Sequence, residues 1–198
     1  MPDEQAETNA DTTAGAKPAE RPYTIVVGVT FDSCGTLALR EAVRLAGRQP
    51  NAEIHAVHVL PPAAGLRKTR SIGRLAEALA RDGDALFRFV FDLVEHEPAI
   101  ADERLRLHTL VGNPTDALVQ HTIDAEADLL VVGTHGRTGV AALVLGSTAQ
   151  DLVRRSRCPV LVARPRDYQG AQRSLEVEPL CADCADARTA SGGDALWC

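Results

Sequence analysis

The residues best placed to do chemistry lie between positions 133 and 148, where the chain reads Gly133-Thr-His-Gly136-Arg137-Thr-Gly139 and, after six further residues, Gly146-Ser147-Thr148. This run follows an apolar, β-branched stretch and precedes a helical pattern, so one glycine turn stands at a strand end and another at a helix start. A strand-end glycine lets backbone approach a ribose or phosphate closely, and the unpaired N–H groups of a helix N-terminus, at the positive end of its dipole, accept anionic oxygens. Ser147 and Thr148 add hydroxyl donors at that end. The chemistry implied is phosphate binding, although an ordinary βα connection also uses glycines as turn residues. His135 and Arg137 stand within loop reach of a phosphate, but loop side chains of these types are as often simply solvated. No base is placed in sequence to activate Ser147 or Thr148, so both are read as donors rather than nucleophiles. Binding is expected, with at most slow hydrolysis.

The thiols and imidazoles say less. Cys181-Ala-Asp-Cys184 has the spacing used by zinc sites and redox pairs, but with only Cys198 nearby a fourth ligand would have to come from elsewhere, so no metal is assigned. A redox pair is equally open, though the tail lacks the helix expected after such a motif. Cys34 and Cys158 read as inert small residues without activating partners. His55, His58 and His121 have no Cys or carboxylate at metal-ligand spacing and are read as polar-tipped packing residues, with no role assigned.

These positions need a scaffold, and the hydrophobic pattern supplies one. Thr24 to Val29 is a nearly continuous β-branched run, the mark of a strand covered on both faces. Asp32, Ser33 or Thr36 can cap a helix whose inner stripe is Leu39, Ala42, Val43 and Ala46. Glu53 to Leu60 reads as the second strand, and residues 63–70 as a loop. A long amphipathic stretch from Ile72 to Val94 follows, read as one helix weakened or broken near Gly83. Leu105 to Val111 is the third strand; Gly112-Asn113-Pro114 then gives a turn, an N-cap and a proline at the first helical position. Asp128 to Val132 is the fourth strand, Ser147 to Arg155 a helix, and Pro159 to Ala163 the fifth strand. Strands alternating with helical crossovers predict an α/β fold, a doubly wound parallel sheet, with ligands outside the carboxyl ends of its strands.

Composition bounds the rest. The chain has 198 residues, 45% of them apolar, and a formal net charge of -6, which suits one ordinary domain and gives no electrostatic footprint for nucleic acid. Residues 1–21 are expected to be a disordered acidic leader, residues 22–166 the domain, and residues 167–198 a mostly disordered tail. Neither a signal sequence nor a membrane-spanning run is recognisable, and a cytoplasmic location is expected.

The spacing glycine, two residues, glycine, nine residues, glycine-serine resembles the ATP-binding motif of the universal stress protein family. Around it stand Ile25-Val-Val-Gly-Val, His58-Val59, Gly112-Asn-Pro114, Ala127-Asp-Leu-Leu-Val-Val and Cys158-Pro-Val-Leu-Val162, so the resemblance spans residues 23 to 165. It implies a five-stranded sheet of order 3-2-1-4-5, adenine nucleotide α-hydrolase-like, with ATP, with or without Mg, between strands one and four. It implies a homodimer through the edge strand 159–163, and a nucleotide-dependent role in a stress response with a protein partner the sequence does not name. By residue, it places Gly133 and Gly136 at the ribose and phosphates, Gly146, Ser147 and Thr148 at the phosphates, and Val59 at the adenine. ATP-binding members usually carry an aspartate straight after strand one. Here Thr30 stands there, and either its hydroxyl or Asp32, after a shifted turn, would serve instead. Two other readings remain: a scaffold of the same fold that binds no nucleotide, and a thiol or metal sensor acting through the tail.

Overall fold

A computed structural model of the chain describes residues 21–62, 72–95, 104–134, 145–166, 168–169, 181–195 and 197. In order these form β1 (Tyr23–Gly28), α1 (Ser33–Ala46), β2 (Ala52–Leu60), α2 (Ile72–Val94), β3 (Leu105–Val111), α3 (Pro114–Asp124), β4 (Leu129–Gly133), α4 (Ser147–Arg155), β5 (Val160–Ala163) and α5 (Ala182–Ala190). The strands make one parallel sheet of order β3-β2-β1-β4-β5. Each crossover contains a helix, as parallel neighbours require.

The β-branched run of β1 is central because it is buried on both sides. Ile25 and Val27 point into one core with Leu39, Ala42, Ile54, Leu86 and Val90, between the sheet and helices α1 and α2. Val26 points into the other with Val57, Leu118, Leu130 and Leu152, between the sheet and helices α3 and α4. Truncating a fully buried residue such as Leu130 to alanine leaves a cavity and costs about 2–5 kcal/mol.

One ionic clamp fixes β1 beside β4 at the end where both strands begin. The Arg21 guanidinium donates to both carboxylate oxygens of Asp128, at 2.8 and 2.5 Å, and Asp128 Oδ2 also accepts the Thr24 N–H at 2.8 Å. The hydrogen bond from Arg21 holds the Asp128 carboxyl below the usual carboxylate range, against the opposing effect of partial burial.

Two expectations are corrected. Helix α2 runs unbroken through Gly83, because Leu86, Val90 and Val94 are buried against the sheet and tertiary packing outweighs the roughly 1 kcal/mol propensity deficit of one glycine. Within the tail expected to be mostly disordered, residues 182–190 form helix α5. There Cys181 Sγ accepts the Cys184 N–H at 3.2 Å. The CxxC therefore does open a helix, the placement the sequence reading found missing. Residues 63–70, read as a loop, lie outside the described residues. No helix among the described residues is long and apolar enough to cross a membrane.

Candidate functional site

Four helices follow strands at the carboxyl ends of the sheet, and the described starts of α1, α3 and α4 are finished differently. Asp32 caps α1: its Oδ1 accepts the Gly35 N–H at 2.9 Å and the Thr30 hydroxyl at 2.8 Å. Asn113 caps α3, its Oδ1 accepting the N–H groups of Thr115 and Asp116 at 2.9 and 3.2 Å. Helix α4 starts at Gly146 with no side-chain cap. A helix N-terminus leaves donors that something must satisfy, and at α4 the first-turn residues Ser147 and Thr148 are exposed.

The chain closes on itself at this point. Gly146 N–H donates to Thr134 O at 2.7 Å, so the start of α4 returns to the end of β4 although twelve residues of sequence separate the two glycines, 133 and 146. The Thr134 hydroxyl lies 3.9 Å from Cys34 Sγ in the first turn of α1. Thr30, Asp32, Cys34, Gly133, Thr134, Gly146, Ser147 and Thr148 thus share one edge of the sheet, beside the ends of β1 and β4.

Gly133 has a packing reason to be glycine. A Cβ there would sit 2.8 Å from both Cβ and the carbonyl oxygen of Cys34, closer than real contacts allow. The strand end and the first turn of α1 touch through backbone. Gly146, with φ -61° and ψ 150°, adopts angles open to any residue, so its backbone conformation does not demand glycine.

Among the other expected site residues, Val59 lies in β2, partly buried against the α3 and α4 core, and Thr30 lies in the loop after β1, its hydroxyl turned to Asp32. The carboxylate oxygen of Asp32 that accepts from Thr30 is the same one that caps α1, which ties this carboxylate to the helix start. Gly136 and Arg137 lie outside the described residues, as does Cys198. Sequence reasoning missed Phe31 and His58. The two rings stack with centroids 4.2 Å apart, His58 Nδ1 lies 2.8 Å from the Val29 carbonyl, to which it can only donate, and Phe31 stays 42% exposed beside the strand ends. Only the pairing of β1 with β2 brings these two residues together, so no local pattern announces them.

A doubly wound parallel sheet with an uncapped helix start beside its two central strand ends defines an α/β domain of the nucleotide-binding kind in architecture. Comparison with known proteins narrows this. Residues 23–164 match the model of the universal stress protein family, and the chain belongs to that family. Universal stress protein MJ0531 of Methanocaldococcus jannaschii is 30% identical over 144 residues, which are 71% of this chain and 81% of that protein. The solved structure of universal stress protein UspA from Lactobacillus plantarum superposes with a TM-score of 0.60 at 25% identity, covering 73% of this chain and 99% of that one. A universal stress protein solved in complex with cAMP superposes with a TM-score of 0.52 at 28% identity, covering 73% and 98%.

Proposed function

We propose that the domain binds an adenine nucleotide, ATP foremost, across the carboxyl ends of β1 and β4, and that the bound nucleotide sets its conformation or choice of protein partner in a stress response. The observation that carries this reading is the uncapped start of α4. Helices α1 and α3 have their first donors satisfied by Asp32 and Asn113, whereas α4 presents Ser147 and Thr148 to solvent next to Gly133 and Thr134. Phosphate oxygens are the natural acceptors there, with Gly136 and Arg137 in the intervening loop assigned to the ribose and phosphates and Val59 to the adenine. A relative solved with cAMP supports the base and ribose part of the reading. Calorimetric titration of the purified protein with ATP, AMP and cAMP tests it. Saturable one-to-one binding is expected, with ATP tightest because it alone carries the full triphosphate. Absence of heat with all three ligands would reject the reading.

The cap made by Asp32 favours one rival. Its carboxylate is committed to α1 and to the Thr30 hydroxyl, which suits a scaffold of the same fold that holds no nucleotide, and the same titration decides between them. In either case β5 is proposed as a self-association edge. It is the last strand of the sheet, short and apolar from Val160 to Ala163, and an unpaired edge of this kind invites pairing with a second copy. Light scattering that gives a monomer mass at high micromolar concentration would exclude the dimer.

A further inference from the structure

Three histidines that lie far apart in sequence meet on the α3 side of the sheet. His55 of β2 and His108 of β3 stand on neighbouring strands; His108 is in register with Val57, so both rings project to the face on which Val57 packs. His121 comes from the inner side of α3 and closes the group. Ring centroids are 5.0 Å apart for His55 and His108, 5.4 Å for His55 and His121, and 4.4 Å for His108 and His121. One ligating nitrogen from each ring lies within 4.8 Å of the others, and His55 Nδ1 is 3.1 Å from His121 Nε2.

We propose that His55, His108 and His121 form a binding site for a divalent first-row transition ion of the zinc type, separate from the nucleotide edge.

Geometry supports this first. Nitrogens bound tetrahedrally at 2.0–2.1 Å lie about 3.4 Å from one another; the pair His55–His121 is at 3.1 Å and all three nitrogens lie within 4.8 Å of one another, so small ring adjustments bring them to one ion. A carboxylate is in place behind one ligand. Glu53 Oε1 lies 3.2 Å from His55 Nε2 and is itself held by Arg106 Nε at 2.8 Å. With His55 donating Nε2–H to Glu53, its Nδ1 keeps a lone pair turned toward His121, the arrangement by which an outer carboxylate orients a metal-binding imidazole. In the empty site His121 Nε2–H donates to that lone pair. On metal binding this proton moves to His121 Nδ1, so both nitrogens face the ion and no net proton is lost.

His108 Nε2 is buried with no hydrogen-bond partner among the described residues, a cost that structures rarely tolerate without a purpose. Three nitrogens without an oxygen ligand disfavour Mg and Ca. His55 lies four residues before Val59 on the same strand, and His108 is in register with Val57, so the pocket lies on the sheet face of Val59, further from the carboxyl ends of the strands.

The test uses the full chain with Cys181, Cys184 and Cys198 changed to serine, so that tail thiols cannot compete, stripped with chelator and titrated without nucleotide. Co²⁺ is expected to give visible ligand-field bands that saturate at one ion per chain, with Zn²⁺ displacing it. His121→Ala and His108→Ala should each weaken Zn²⁺ binding at least tenfold in calorimetry, and Glu53→Gln, which leaves all three ligands present, about tenfold. If an alanine variant loses its far-UV circular dichroism, His55→Gln replaces it as the ligand deletion. Absence of one-to-one Co²⁺ and Zn²⁺ binding in the parent would overturn the proposal. So would equal affinities in the parent and the folded histidine variants.

Discussion

The edge proposed to hold nucleotide and the histidine pocket are made from different parts of the chain. At the edge, the donors are backbone N–H groups at the start of α4 with two hydroxyls beside them, all within one stretch of sequence. In the pocket, the donors are three side chains from β2, β3 and α3, and only strand register and helix packing bring them together. The first kind of site tolerates many side chains and fails when backbone is displaced. The second tolerates backbone detail and fails when one ring is lost. Variants that disturb backbone contact should therefore fall on the edge, and variants that remove imidazole on the pocket.

The largest effect is expected from Gly133→Val. A side chain there must push against Cys34 Cβ and O, each 2.8 Å from an added Cβ, so the first turn of α1 and the end of β4 have to part. A stability loss of about 2 kcal/mol in urea unfolding is expected, as for overpacking at a rigid contact, together with weaker ATP binding. If the variant were as stable as the parent, the contact would not be the rigid one described. Gly146→Val should act on binding alone, because its φ and ψ suit valine. At least a tenfold loss of ATP affinity, about 1.4 kcal/mol, is expected with Zn²⁺ affinity unchanged, and unaltered ATP affinity would show that phosphates do not sit at this helix start.

A smaller contrast separates the capped and uncapped helices. Asn113→Ala removes the acceptor for two N–H groups of α3 and should cost about 1 kcal/mol of stability. Ser147→Ala removes no cap, so its unfolding midpoint should match the parent, while ATP affinity drops less than in Gly146→Val because the backbone donors remain. A stability loss at Ser147 as large as that at Asn113 would erase the distinction.

The smallest effect at neutral pH is expected at the opposite end of the sheet. The Asp128 carboxyl is depressed by Arg21, so its contribution is fully present above the ordinary carboxylate value, roughly pH 4, and is lost as pH falls through the lower folded value. Asp128→Asn should flatten the acid limb of stability against pH while both candidate sites keep their affinities. An acid limb identical to that of the parent would remove the clamp from the account.

The sheet and its flanking helices were legible because their signals are local. The run Thr-Ile-Val-Val-Gly-Val marked β1 as buried on both faces, and Asn113-Pro114 marked the start of α3 to the residue. The glycine turns at the end of β4 and the start of α4 were legible for the same reason, being contiguous. Helix α2 was legible as one helix, but not its passing Gly83 without a break, since only the burial of Leu86 and Val90 offsets the weakened local preference there. Helix α5 was missed because Ala182 to Ala190 has no apolar stripe; alanine propensity and the Cys181 cap are what form it. The histidine pocket left no sequence signal at positions 55, 108 and 121. With β2 and β3 known to be neighbours and His121 on the inner stripe of α3, the three could have been placed together.

The contact between Gly133 and Cys34 bears on how such a domain can drift over generations. A lineage that ceased to use nucleotide would free position 146 to accept other residues, since no backbone angle holds it to glycine. Position 133 would stay fixed, because the fold itself excludes a side chain there. At least one glycine of the signature would outlive the binding it was proposed to serve, and in a descendant chain the residue at 146, rather than the one at 133, would carry the information about whether the ligand had been kept.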